Sequence, residues 1–414
     1  MKIIIRITSL VLLFMVCFSF AEYNKPAKKT AASKTSPPST GTPYYSTDEI
    51  IKIRIYSQLK ATALMFAPTN GIYEVQADGR TILKLDSKGL LKISWSGDSI
   101  EIKTTENNLG RCKSLKIISD DIENGFKLRL LSPDKKPRFY DGNLSVNVEE
   151  KILRLVNQTK MDHYIAGVSE AEAGKRSTLE FYKVQAILAR TYALGHIQKH
   201  VADGYNLCDQ VHCQVFYGKT TDHDILEAVK ITKGQVVVDQ DLQLISAVFH
   251  SNSGGQTANS EDVWGTSTSY LRSVKDSFCL KMPNARWERK MATEDWLSYL
   301  KIRYKYPVED SLAKSFALNF KQEHRKSNIE YAGLKIPLKN VRTDFQLKST
   351  FFSINPQGDT LIFKGRGFGH GIGMCQEGAM CMTKIGYSYK DVLSFYYQKV
   401  HLIDIKEMNF FKEN

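Results

Sequence analysis

Tyr164-Ile165-Ala166-Gly167-Val168-Ser169-Glu170-Ala171-Glu172, followed after a polar break by Lys183-Val184-Gln185-Ala186-Ile187-Leu188-Ala189-Arg190-Thr191-Tyr192-Ala193, decides how this chain is read. Ser177 with Glu180 three residues on has the form of a capping box and predicts a helix start. Val184, Ile187, Leu188, Thr191 and Gly195 then recur at helical spacing as one buried stripe. Glu170 and Glu172 fall just ahead, in the approach loop or a preceding short helix. To the N-terminal side the period changes from helical to two. Ile51, Ile53 and Ile55 alternate with Lys52 and Arg54, and Leu91, Ile93 and Trp95 alternate with Lys92 and Ser94. Asn70-Gly71, Asp78-Gly79 and Lys88-Gly89 supply turns, so residues 46–137 read as β-rich. To the C-terminal side, residues 236–238 and 245–249 read as buried strands, 294–306 and 311–321 as helices, and 345–364 as strands. A glycine-rich loop over 365–373 and a final helix over 388–397 follow. The fold class expected is α+β, a mixed core carrying a groove over residues 138–405 behind a β-rich N-terminal segment.

The chain has 414 residues and 42% hydrophobic content, enough for a sizeable core. Lys2 and Arg6 precede an apolar run over 7–20, and Ser19-Phe20-Ala21 offers small residues for a signal peptidase. Residues 1–21 therefore read as a cleavable signal, which directs the chain to the periplasm or cell envelope. The run is short for a membrane span, and no integral span is expected in the mature chain. Residues 22–45, rich in Pro, Ser, Thr and Lys, read as a flexible linker. The net charge of +13, or +11 without Lys2 and Arg6, favours an anionic partner such as the wall or the membrane surface. Export, and the lack of a compact Lys/Arg cluster, set nucleic acid aside.

Three further constellations carry chemistry. His196, His200, Cys208, His212 and Cys213 hold thiolate and imidazole donors suited to tetrahedral zinc. His196 and His200 stand four apart at the helix end and share a face. The set His200, Cys208, His212 and Cys213 is the expected shell, with His196 as the alternate. A Cys208–Cys213 disulfide or free thiols are the other readings of the same residues. A closed four-ligand shell would leave no place for a reactive water, so the metal is expected to be structural. The remaining cysteines after Cys17 leaves with the signal are Cys112, Cys279, Cys375 and Cys381. Cys375 and Cys381 could pair or be buried thiols.

The second constellation is Phe249-His250-Ser251-Asn252-Ser253-Gly254-Gly255-Gln256-Thr257. Gly254-Gly255 allows close backbone approach to a ligand, and Ser253 and Thr257 can donate to hydroxyls. A serine hydrolase built on Ser253 and His250 lacks an orienting acid and the nucleophile-elbow spacing. The third is Gly365-Arg366-Gly367-Phe368-Gly369-His370-Gly371-Ile372-Gly373-Met374, with Gln376, Gly378 and Ala379 after it. No Lys-Ser/Thr follows, so it is not a nucleotide loop. The turn presents His370 and Gln376 to a groove, and His370 serves either a hydrogen bond inside the turn or a substrate contact.

These stretches, in this order, resemble the SpoIID/LytB family over about residues 138–397. The first resembles the family's Tyr-Leu-x-Gly-Val-Val-x-x-Glu followed by Lys-x-Gln-Ala-x-x-Ala-Arg-Thr-Tyr-Ala. That alignment places the family's catalytic glutamate on Glu172. Ser169 departs from the usual second valine, and Ala173-Gly174 from Met-Pro. The second resembles Ser-x-Ser-Gly-Gly-x-Thr, and the third Gly-Arg-Gly-Trp-Gly-His-Gly-Val-Gly-Met-Ser-Gln-x-Gly-Ala, with Phe368 for Trp and Cys375 for Ser. Some members resembling the Cys208–Cys213 stretch bind zinc there. The resemblance implies a peptidoglycan lytic transglycosylase with Glu172 as general acid and base, and Arg190, Ser253, Gly254, His370 and Gln376 holding the glycan. It implies glycan strands as partner, and an amidase beside them. The alternatives are a non-catalytic amidase enhancer and, less favoured, a zinc hydrolase.

Overall fold

In a computed structural model the protein is described over residues 49–410, so the signal and the whole of the linker lie outside the described residues. The fold is α+β with a β-rich N-terminal region. The alternation read from Ile51, Ile53 and Ile55 is borne out: these side chains are buried while Lys52 faces out. Asp78 and Gly79 both take positive φ, 49° and 82°, between the strands Tyr73–Ala77 and Arg80–Leu85. This is the geometry of a two-residue hairpin turn.

A seven-stranded and a six-stranded sheet enclose one core. Ile50–Ile55 pairs antiparallel with Ile152–Lys160 and parallel with Leu207–Cys208. The β-structure therefore runs through residue 138 to Lys160, and the first strand reaches across to the segment that carries the cysteines. Helix α1 (Met161–Ala173) leaves directly from that last strand, and α2 (Leu179–Gly195) follows.

Two local expectations are corrected here. The N-cap of α2 is Thr178, whose hydroxyl accepts from Phe181 N, and not Ser177. Glu180 instead pairs with Lys183 and accepts from Tyr389 N. Nor does α2 bury a single stripe. It packs against α1, the helices His223–Ile231 and Tyr389–Tyr396 and the strand Gln235–Val238, and is covered on nearly every side. Gly195 lies exposed at its end.

A second hydrophobic core, centred on Trp296, Phe320, Ile336, Phe352 and Phe363, forms a lobe of its own. The strands Arg286–Ala292 and Thr360–Arg366 pair antiparallel at its base. The chain enters this lobe after the Ser253-Gly254 turn and leaves it into the glycine-rich loop.

Candidate functional site

Glu172 sits in the last turn of α1. The first part of that helix is buried through Tyr164, Ile165, Gly167 and Val168, and its end emerges at the surface. Gly167 decides what can lie beside it. A Cβ there would stand 2.3 Å from Gly218 O and 2.5 Å from the Phe216 ring. With none, the extended segment 214–218 lies flat on the helix. Tyr164 reinforces this by donating to Gln214 Oε1 at 3.3 Å and packing on Phe216 at 5.1 Å. The docked segment presents Val215 N–H to Glu172 Oε1 at 3.2 Å. From the far end of the chain, Gln376 Nε2 donates to the Glu172 main-chain carbonyl at 3.2 Å. Gly174, at φ 71°, ends the helix, and its carbonyl accepts from Tyr182 of α2.

Desolvation pushes the Glu172 carboxyl up from its usual range to about 7, against a smaller opposing effect of Val215 N–H. A half-buried carboxyl with this affinity for its proton can act as an acid and, once ionised, as a base near neutral pH. The neighbouring Glu170 pairs with Lys175 at the surface.

Next to this segment in sequence, His200, Cys208, His212 and Cys213 converge, with one donor atom from each within 4.8 Å of the others. Cys208 Sγ to His212 Nδ1 is 3.8 Å, Cys213 Sγ to His200 Nε2 is 3.6 Å and Cys213 Sγ to His212 Nδ1 is 3.7 Å. Ligands about 2.1–2.3 Å from a tetrahedral zinc stand about 3.4–3.8 Å from one another, so the donor set fits that ion. Both cysteines are free thiols. Cys208 lowers the Cys213 thiol to about 7, and its own is pushed up. His200 Nδ1 faces Asp203 at 3.3 Å, which turns Nε2 inward. His196 does not take part. The helix stops at Gly195, so the shared face with His200 is lost, and His196 stacks on Tyr192 with Nδ1 on Tyr192 O.

Several residues expected to hold the glycan are engaged in the fold itself. Arg190 is 3% exposed and donates to the carbonyls of Thr232, Val229 and Gln235, beside Asp162. Its guanidinium caps the C-terminal end of the helix His223–Ile231, where carbonyls lack partners. Ser253 is fully buried, with Oγ on Asp276 Oδ2 and near Cys279 Sγ. Gly254, at φ 68°, serves close approach to the chain and not to a ligand, because a Cβ would stand 2.6 Å from the Arg366 carbonyl carbon. His370 uses both ring nitrogens on backbone, Nε2 to Phe249 O and Nδ1 from Ile372 N, and burial drives it down to about 4. Of its two readings, the structural one is realised at the nitrogens, while the exposed Trp264 lies against its ring face. Gln376 is the one of these five hydrogen-bonded to Glu172 among the described residues.

Two participants were not read from the sequence. Val215 contributes a main-chain N–H, which no side-chain pattern announces. Glu377 is a buried carboxylate that receives Asn252 Nδ2, Asn284 N and Asn284 Nδ2, locking the serine-glycine turn to the glycine-rich region.

Residues 149–238, which span α1, α2 and the four-donor cluster, match the family model described as SpoIID, stage II sporulation protein. The chain is 28% identical over 279 residues to an uncharacterised protein of Brachyspira hyodysenteriae, covering 65% of this chain and 74% of that one. It is 27% identical over 271 residues to stage II sporulation protein D of Bacillus subtilis, covering 62% and 78%. It is also 26% identical over 283 residues to the amidase enhancer of Bacillus subtilis, covering 56% of this chain and 39% of that longer protein. The matched segment and these relatives support the SpoIID/LytB resemblance carried by the motifs. No described helix is long and apolar enough to cross a membrane.

Proposed function

We propose that the protein is an exported peptidoglycan lytic transglycosylase that cleaves the β-1,4 bond from N-acetylmuramic acid to N-acetylglucosamine. The observation that carries this is Glu172 at a helix end, its carboxyl held near pKa 7 by desolvation and met by Val215 N–H, its main-chain carbonyl accepting from Gln376. Protonated Glu172 gives its hydrogen to the bridging oxygen. The resulting carboxylate then removes the proton of the sugar's own 6-hydroxyl, which closes on the anomeric carbon. The product is a 1,6-anhydro end, with no water consumed and no second carboxylate required. Val215 N–H stabilises the carboxylate after the first transfer, and Gln376 fixes the helix terminus that aims it. His200, Cys208, His212 and Cys213 would hold zinc as a closed structural centre, pinning the chain just ahead of Val215.

The similarity to an amidase enhancer favours a second reading, a glycan-binding partner of a cell-wall amidase. The two are separated by incubating the purified protein with peptide-free glycan strands, and separately with intact wall plus an amidase. Anhydro-ended fragments from the first mixture support the lyase. Amidase stimulation without any such fragments supports the enhancer and overturns the lyase.

A further inference from the structure

Away from Glu172 and the four-donor cluster, Cys279 and Cys375 meet in the core. Both are fully buried, and their sulfurs and a carboxylate oxygen of Asp276 lie within 4.8 Å of one another. Cys279 stands just before the chain enters the second lobe, and Cys375 just after it returns. The lobe's own core and its paired base strands lie between them. Cys375 also caps the helix Gln376–Lys384, its sulfur accepting from Gly378 N at 3.3 Å and from Ser253 N at 3.2 Å.

We propose that Cys279 and Cys375 are a disulfide pair, a covalent staple across the neck of the second lobe. A metal fits less well. The Asp276 carboxylate is already engaged by Ser253 Oγ, Phe278 N and Cys279 N, which leaves two sulfurs short of a tetrahedral shell. A thiolate here would place a second negative charge in the core beside the Asp276 carboxylate, whereas a disulfide carries none. Cys381, which the sequence left open as a partner of Cys375 or a buried thiol, lies on the helix that Cys375 caps and is part exposed. Because the pair is inaccessible once folded, it closes during folding. Exchange with a small disulfide oxidant takes two electrons and two protons from the thiols and releases the oxidant as two thiols. The bond would enclose the whole lobe, a long loop, the case in which a cross-link restricts the unfolded chain most. It would also anchor the residue next to Gln376.

The full chain, secreted into an oxidising compartment and purified without reductant, is denatured, alkylated and digested. The expected result is a reductant-sensitive peptide joining Cys279 to Cys375, with neither found alkylated. Reduction then lowers the melting temperature by several degrees, and the C279A/C375A double variant shows no such change. Full alkylation of both cysteines, a Cys375–Cys381 linkage, or a metal released in place of a disulfide would each overturn the proposal. So would an unaltered response to reductant in the double variant.

Discussion

The side-chain amide of Gln376 donates to the main-chain carbonyl of Glu172 at 3.2 Å, joining the helix after the glycine-rich loop to the end of α1 across 204 residues of sequence. This bond sets where the carboxyl stands without touching the carboxyl itself. Gln376→Ala is expected to lower turnover on peptide-free glycan by about ten- to a hundredfold through misplacement. KM should change less, and stability should fall by about 1 kcal/mol. A variant with full turnover would show that the contact does not position Glu172.

Glu172 gives a pH signature in stability as well as activity. Its folded carboxyl holds the proton up to about 7, against an ordinary value of 4.5. The folded state therefore binds more protons than the unfolded state between those values, and stability falls as pH rises through that window. The contribution is at most about 3 kcal/mol, from the size of the shift. Relative to the wild type, Glu172→Gln is expected to melt higher at pH 8 than at pH 4, because it has no charge to bury. Turnover limited by the protonated acid should decline as pH rises through about 7. Parallel melting curves for the two proteins across this range would remove the basis for an elevated carboxyl.

The four-donor cluster leads to a metal prediction. Elemental analysis of the purified protein should find about one zinc per chain, and Cys213→Ser should lose it. Since Cys213 is two residues from Val215, metal loss should also reduce glycan cleavage by disturbing the N–H that faces Glu172. Stoichiometric zinc retained in Cys213→Ser would reject this ligand set.

Arg190 is expected to behave as a structural tie. Arg190→Met strands several buried carbonyls and should cost about 2–3 kcal/mol of stability. The fraction that remains folded should keep its KM within about twofold. A stable variant with a strongly raised KM would return Arg190 to the glycan.

Gly167→Ala tests the close approach of the segment 214–218. A new Cβ 2.3 Å from Gly218 O must push that segment outward, with about 1–3 kcal/mol lost to overpacking. Val215 N–H would move with it, so turnover should fall along with the melting temperature. A variant with unchanged melting and activity would show that the segment yields freely.

The parts of this protein that are local in sequence were legible in it. The alternation of Ile51, Ile53 and Ile55 is a property of neighbours, and so is the Asp78-Gly79 turn. The family motifs drew attention to Glu172 and to the four donors His200, Cys208, His212 and Cys213. Misreadings came where a short-range rule was outvoted by packing. Ser177 and Thr178 can both cap a helix, and the choice of Thr178 leaves Glu180 free to receive Tyr389 N from a distant helix. Polar residues in motifs were expected to face a ligand, yet Arg190, Ser253 and His370 satisfy backbone groups that burial leaves without water. The Val215 N–H, the meeting of Cys279 with Cys375 and the second core around Trp296 all depend on segments brought together from far apart, which no periodicity encodes.

The most direct test is the release of 1,6-anhydro-ended fragments from peptide-free glycan strands by wild type and by Glu172→Gln, followed by mass spectrometry. The substitution preserves size and the acceptor for Val215 N–H but has no proton to give. The wild type should release such fragments, and the variant, folded as the wild type is, should release none above background. Release by the variant at the wild-type rate would contradict the role assigned to Glu172.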